Sequence, residues 1–409
     1  MELKACVSEV DLEDIVKKID MVCFGGEDWW YHNRGHVDMQ LMRRFAKYGT
    51  TLYVNSIVMQ KPTLRKGIGG GKTFTQKLVR KTKSILRGLR KTDAGFWVYS
   101  ALTLPVHHIA CLRPVNNFLL RLQMSIVCSW LKIREPVVWV ACPAACEVAL
   151  GMKKLMLIYQ RSDRFEEYPN VDRDIVTRYD RKLKKAADLT VFVNMTLCAK
   201  EKTQCRKALY LDHGVDFEMF ANAEKFENIP EDIQHINRPI VGFFGGIDSH
   251  TLDITFLESL TRILPNMNFV FVGAVSADVT ELRRNTKVHF LGPKPYEQIP
   301  HYGKCFDVCI MPWRQNRWIQ ACNPVKLKEY MALGKPVIST PFAELHNYRD
   351  VVYVAQTPKD FASAIKKALN EDNPKKAQER RNKVRHVSWD NKAEVVLEEL
   401  FENGIGKNR

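Results

Sequence analysis

The sequence predicts an α/β protein built as two Rossmann-like domains, each around a parallel sheet, facing one another across a cleft. Three observations predict this. The 409 residues suffice for two domains of about 150 to 200 residues each. An apolar content of 45 % can fill two cores. Short β-branched or aromatic runs alternate with helical segments in both halves, the rhythm of parallel strands joined by crossover helices.

Taken in order, residues 19–24 are an apolar run closed by the turn Gly25-Gly26. Residues 33–47 set Val37, Leu41, Met42 and Phe45 on one side before the breaker Gly49, hence a helix. Residues 51–57 are β-branched and aromatic and read as the next strand. Residues 61–91 hold eleven basic residues and no acidic one, with Leu78, Val79, Ile85, Leu86 and Leu89 interleaved at near-helical spacing, so a basic amphipathic helix is expected. Further strands are expected at 96–99, 137–141, 155–159 and 189–193, with helices around 116–131 and 175–187. Residues 221–238, polar and ending at Pro239, read as a linker. In the second half Pro324 suits a first helical turn, Gly334 a C-cap, and Val337, Ile338 and Ser339 the following strand.

Charge narrows the partners. The net +16 lies wholly in the first half: residues 1–210 carry 36 Lys and Arg against 20 Asp and Glu, whereas residues 211–409 carry 26 of each. Lys77, Arg80, Lys81, Lys83 and Arg87 on the basic helix are the expected contacts to an anionic membrane surface, each contributing about 1 kcal/mol near anionic lipid. Residues 1–20 are charged and no stretch approaches the roughly 20 apolar residues of a span, so the expected location is cytoplasmic, peripheral to the inner face of the membrane. The eleven Cys and eleven His show no metal-ligand spacing, and no metal is expected. Gly67-Ile68-Gly69-Gly70-Gly71-Lys72-Thr73 fails as a phosphate-binding P-loop because Lys66 stands where the pattern needs its first Gly.

The segment from Asn323 to Ser339 places Lys326 and Glu329 on one helix face directly before a strand. A cation near a helix N-terminus is disfavoured by the helix dipole unless an anion binds there, and a carboxylate one turn later can accept two hydroxyl hydrogen bonds. With Val241-Gly242-Phe243-Phe244-Gly245-Gly246, residues 269–273, 288–292, 296–302 and 306–312, it resembles the donor half of GT-B glycosyltransferases. Bacterial polysaccharide enzymes such as the inverting xanthan glucuronosyltransferase are included in that resemblance. It spans most of residues 239–355, and its force lies in the order and spacing of the pieces. It implies a GT-B fold with an acceptor-binding domain at 1–215, a linker at 216–238, a nucleotide-sugar domain at 239–390, and a last stretch, 391–409, packing back on the first domain. Leu211-Asp212-His213-Gly214-Val215-Asp216 followed by Phe220 matches the crossing point of such chains.

The resemblance further implies a sugar transferase that needs no cofactor beyond its nucleoside-diphosphate sugar, with UDP expected, and a glycan or lipid-linked acceptor. Gly245, Gly246, Asp248, Arg314, Asn323, Lys326 and Glu329 are the donor-site candidates. An inverting transfer needs a general base on the first domain. Asp163, just beyond the strand at 155–159 where parallel sheets place their ligands, is the candidate, with Asp28 and His32 as alternatives. Trp29 and Trp30 would stack on acceptor sugars, Arg34 would hold an acceptor or donor phosphate, and Arg164 is a further acceptor-binding candidate. Retaining relatives carry Glu-x7-Glu ending at the position of Glu329. Here the first of these is Ala321, so inversion is expected. Other readings are a retaining transferase, a nucleotide-sugar 2-epimerase without acceptor, and a nucleic-acid-binding protein using the basic half. The last leaves the Lys326 and Glu329 helix without a task, so no nucleic-acid partner is expected.

Overall fold

The computed structural model describes residues 19–31, 35–57, 74–103, 112–168 and 171–402. Eight strands form the first sheet: β1 (Met21–Phe24), β2 (Thr51–Val54), β3 (Leu89–Lys91), β4 (Trp97–Tyr99), β5 (Val137–Val140), β6 (Met156–Arg161), β7 (Leu189–Phe192) and β8 (Ala208–Tyr210). They lie in the order β3-β4-β2-β1-β5-β6-β7-β8. All neighbouring strands are parallel except the antiparallel pair β3 and β4. The central strands β1, β2, β5, β6 and β7 are buried along their whole length, as a sheet covered by helices on both faces requires. Alternate side chains feed two cores. Cys23, Trp139 and Val191 point to one face, where Met42 and Phe45 of the Val37–Phe45 helix meet Trp389, Val396 and Leu400. Val22, Val138 and Tyr159 point to the other, against Leu120, Met124 and Leu183. The last helix, Trp389–Glu402, is thus part of the first domain's core.

Strand β3 departs from expectation. The helix over Phe74–Arg87 stops before Gly88, whose φ of 58° lies in the left-handed region, and Leu89 to Lys91 become an edge strand paired with β4. Leu89 therefore belongs to the sheet and not to the helix's apolar stripe. Of that stripe, Val79 is 52 % and Leu86 79 % exposed, whereas the small polar Ser84 is buried.

The second sheet holds β9 (Ile240–Phe244), β10 (Asn268–Val272), β11 (Val288–Gly292), β12 (Val308–Met311), β13 (Val337–Ser339) and β14 (Tyr353–Val354) in the order β11-β10-β9-β12-β13-β14. All its pairs are parallel. The segment expected as a polar linker is partly folded: short helices over Phe217–Ala221 and Glu231–Gln234 bury Phe220, Ala223 and Ile233 in the second domain's core. Three apolar side chains in a polar stretch suffice to anchor it, because each one left in water would cost about 1–3 kcal/mol.

Candidate functional site

Strands β9 and β12 end on the crevice that separates the two domains. After β9 the chain turns through Gly245, whose φ is 131°, and a Cβ added there would stand 2.5 Å from the Lys326 ammonium. Lys326 lies in the first turn of the Val325–Ala332 helix, with Nζ 4.4 Å from the centre of the Phe243 ring and 5.7 Å from that of Trp313. Burial lowers its pKa to about 8, against the charges of Asp248 and Glu329, which favour the ammonium. Glu329, one turn on, is buried and accepts a hydrogen bond from the Tyr296 hydroxyl at 3.0 Å. Burial pushes its pKa up to about 7, opposed by that hydrogen bond and by Lys326. The expected helix end is also present, with Gly334 at φ 77° after Leu333.

The other donor candidates divide. Asp248 is engaged within its own loop. Its carboxylate closes a turn by accepting the backbone N–H groups of His250 and Thr251, at 3.0 and 2.9 Å, and the Thr251 hydroxyl at 2.9 Å. The next helix, Ile254–Ile263, is capped by Asp253 instead. Gly246 is exposed beside this turn. Arg314 is tied to the same loop, its backbone N–H to Thr251 O at 2.8 Å and its Nε to Leu252 O at 3.3 Å. Asn323 points elsewhere: its amide donates to the Val193 carbonyl of the first domain at 2.9 Å, so it bridges the domains rather than presenting that amide to a donor.

On the first-domain wall, Asp163 follows β6 and accepts a hydrogen bond from the Tyr168 hydroxyl at 3.0 Å. Burial raises its pKa, opposed by Tyr168 and the positive charges of His36 and Arg161. Arg161 does not pair with its carboxylate. The guanidinium is spent on Glu166, Asp180 and Glu201 at 3.0, 3.2 and 3.4 Å, and reaches Asp163 through the backbone carbonyl alone, at 2.7 Å. Arg164 lies next to Asp163 in the chain, and its Nε is buried without a hydrogen-bond partner. Cys322, just before the Val325–Ala332 helix, has its thiol pKa raised by burial and then by Asp163, with Lys326 opposing.

The alternatives fare differently. Asp28 is structural: its carboxylate accepts the Trp30 backbone N–H at 3.0 Å and the Ser84 hydroxyl at 2.8 Å. Trp29 is a core residue, 3 % exposed and edge-on to Phe96 at 4.8 Å, because its apolar bulk is worth more inside than in a wet cleft. Trp30 is half-buried, with the Arg87 guanidinium 5.0 Å from its ring centre. His32 and Arg34 lie outside the described residues. Two of the expected membrane contacts also fold inward. Arg80 stacks on the Tyr31 ring at 4.3 Å, and Lys81 donates to the Ser56 carbonyl at 3.1 Å. Lys83 and Arg87 are exposed, and the side chain of Lys77 lies outside what is described.

Two residues not singled out in the sequence complete this wall. His36 stands at the N-cap of the Val37–Phe45 helix with Nδ1 3.7 Å from an Asp38 oxygen, its side chain 40 % exposed to the crevice. Asp38 is buried and accepts the Gly26 N–H at 2.8 Å and the Tyr53 hydroxyl at 3.0 Å. Burial would lower the His36 pKa, but the hydrogen bond and charge of Asp38, then Glu27 and Asp163, outweigh it and push it up to about 9. The imidazolium therefore persists at neutral pH. Its only sequence signal was a His and an Asp two residues apart at a helix start, which the apolar pattern of that helix overshadowed. Among the described residues no three His, Cys, Asp or Glu side chains gather as a metal site.

A Gly-lined cation over one sheet and a carboxylate with an imidazolium over the other suit an anionic leaving group and a proton transfer. Comparison with known proteins shows what the chain is similar to. Residues 238–371 match the family described as glycosyl transferases group 1. A protein of Bacillus subtilis (strain 168) named for teichuronic acid biosynthesis, glycosyltransferase TuaH, is 29 % identical over 254 residues, which are 57 % of this chain and 64 % of that protein. The match thus spans less than two thirds of that relative's length. Among solved structures, sucrose-phosphate synthase from Thermosynechococcus elongatus superimposes with a TM-score of 0.68 at 14 % identity, over 94 % of this chain and 99 % of that one. HepE of Anabaena, in complex with UDP and glucose, gives 0.61 at 13 % identity, over 95 % and 99 % of the two chains. The protein therefore has the fold of GT-B glycosyltransferases, and its residues 238–371 are similar to the glycosyl transferases group 1 family.

Proposed function

We propose that the protein transfers a sugar from a nucleoside-diphosphate sugar, UDP being the expected nucleotide, to a glycan or lipid-linked glycan at a membrane surface. The transfer proceeds with inversion and without a metal ion. The observation that carries this reading is the approach of Gly245 to the half-buried Lys326 ammonium at the carboxyl ends of β9 and β12. A glycine backbone beside a cation in the first turn of a helix leaves room and charge for a diphosphate. Neighbouring structures support the nucleotide, since HepE was solved with UDP and with UDP-glucose. The name of the Bacillus subtilis relative supports a polysaccharide product. The basic first half supports an anionic surface, with the protein on its cytoplasmic side.

In the reaction the Asp163 carboxylate takes the proton of the acceptor hydroxyl. The acceptor oxygen bonds to the anomeric carbon as the bond from that carbon to the diphosphate oxygen breaks. The electron pair departs with the nucleoside diphosphate, whose growing charge Lys326 and the Gly245-Gly246 loop stabilise. His36, held cationic by Asp38, keeps Asp163 ionised and ready to accept the proton. Glu329 accepts the ribose or sugar hydroxyls. Calorimetric titration with UDP, GDP and ADP, alongside Lys326→Ala, tests the donor site. One nucleotide should bind in the micromolar range and lose affinity in the variant. Failure of all three removes the reading.

A further inference from the structure

The helix Arg113–Trp130 carries a second, outward stripe. Its inner side chains Asn116, Leu120, Met124 and Val127 are buried. Phe118, Leu122, Ile126 and Trp130, each four residues from the last, are 66, 49, 61 and 64 % exposed. Leu102 joins them at 54 %, held beside the helix because Gln123 bonds both its backbone N–H and its carbonyl, each at 2.9 Å. This is an 18-residue helix apolar on two sides, one of which the protein leaves uncovered.

Cations flank the stripe at both ends. At the Phe118 end a cavity of about 610 Å³ is lined by Phe118 together with Arg113, Arg121, Arg178 and Lys182. Among the residues lining it, Glu147 is the one carboxylate, and it is taken up by Lys182 at 2.8 Å. At the other end Trp130 meets Trp97 edge-on at 5.3 Å, Lys91 stands opposite Trp97 in the sheet, and the exposed Lys132 and Arg134 follow directly.

We propose that this face, rather than the basic helix Phe74–Arg87, seats the protein on an anionic phospholipid bilayer. The Phe118 to Trp130 stripe enters the level of the acyl boundary, and the Arg113, Arg121, Arg178 and Lys182 cavity takes headgroup phosphate. Charge complementarity selects the occupant, since an apolar row bracketed by cations fits a surface that is apolar beneath and anionic above. The Phe74–Arg87 helix is a poorer platform because, among its described side chains, Val79 and Leu86 alone are exposed large apolar groups, against four in the Phe118 to Trp130 row. The inference rests on the reading that the acceptor is presented at a membrane, and it names the surface that does the docking.

The test is cosedimentation of the full chain with vesicles of phosphatidylglycerol and phosphatidylcholine, and with phosphatidylcholine alone. Phe118→Ser with Ile126→Ser, Arg178→Glu, and Lys83→Glu are compared with the unaltered protein. UDP titration and sedimentation in free solution are run on each. The expected result is binding to the anionic vesicles that falls at least tenfold in the double variant and in Arg178→Glu, changes little in Lys83→Glu, and leaves UDP affinity untouched. Undiminished vesicle binding by the double variant overturns this surface while sparing the membrane reading. No vesicle binding by the unaltered protein overturns both, and the UDP titration then reports separately on the donor site. Self-association abolished by the double variant, without vesicle binding, overturns the proposal in favour of a contact between two copies.

Discussion

In the proposed reaction Asp163 and Lys326 carry the chemistry, each half-buried near an opposite charge. Asp163→Asn removes the proton acceptor and keeps its shape, so kcat should fall by about 10²–10⁴-fold with donor affinity retained, as steady-state kinetics and UDP titration would report. Its raised pKa places the ascending limb of the rate profile above the ordinary carboxylate range. Lys326→Met should weaken UDP binding by about tenfold to a hundredfold, the worth of one charge-assisted hydrogen bond of roughly 1.5–3 kcal/mol. Its lowered pKa supplies a sharper test. At about pH 8.5 a large share of the amines is neutral, and a bound diphosphate favours the ammonium, so binding should take up protons. Titrations in two buffers of different ionisation enthalpy would show this uptake, and it should vanish in the variant. His36 acts on stability. Its folded pKa, near 9, lies above the unfolded value of about 6.5. Its contribution is therefore complete below about pH 6.5 and lost as pH rises through 9. The melting temperature should decline across that window and do so less in His36→Gln.

At the level of elements, the turn after β9 joins backbone conformation to the site. Gly245 has a φ of 131°, which side chains rarely adopt, and any Cβ there meets the Lys326 ammonium. Gly245→Ala should therefore reduce UDP affinity at least tenfold by displacing both the turn and the cation, and a small fall in melting temperature should accompany it. The Pro324 to Ser339 stretch was legible because its signals are local: a proline at the helix entry, a glycine after it and an apolar strand beyond. The basic segment was misread for the opposite reason. Its periodicity could not reveal that Gly88 ends the helix and that Leu89 pairs with Tyr99, since the partner strand decides an edge strand.

Over the whole molecule, the domains are joined by polar ties. Lys328, its side chain 1 % exposed, pairs with Asp212 at 2.8 Å, and Lys392 of the last helix reaches the same carboxylate. Glu344 of the second domain accepts the Met195 N–H at 3.0 Å and the Tyr210 hydroxyl at 3.3 Å, both from the first. Asp212→Ala leaves Lys328 buried without its counter-charge, and should cost about 3 kcal/mol, read as a fall in melting temperature. The same substitution frees the crossing point. If that matters to domain closure, kcat and KM should shift together at temperatures where the variant is folded.

By itself the sequence determined the α/β class, two parallel sheets, the charge imbalance and the Lys326 and Glu329 helix. Apolar runs, helix ends and net charge depend on neighbours a few residues away. Tertiary structure alone decided that Trp29 is core and Asp28 a turn brace, that His36 and Asp38 face Asp163, and that Asn323 ties the domains. Those outcomes draw on contacts between residues far apart in the chain, as between Asp28 and Ser84 or Asn323 and Val193, where burial, and not spacing, sets which polar groups remain free for chemistry.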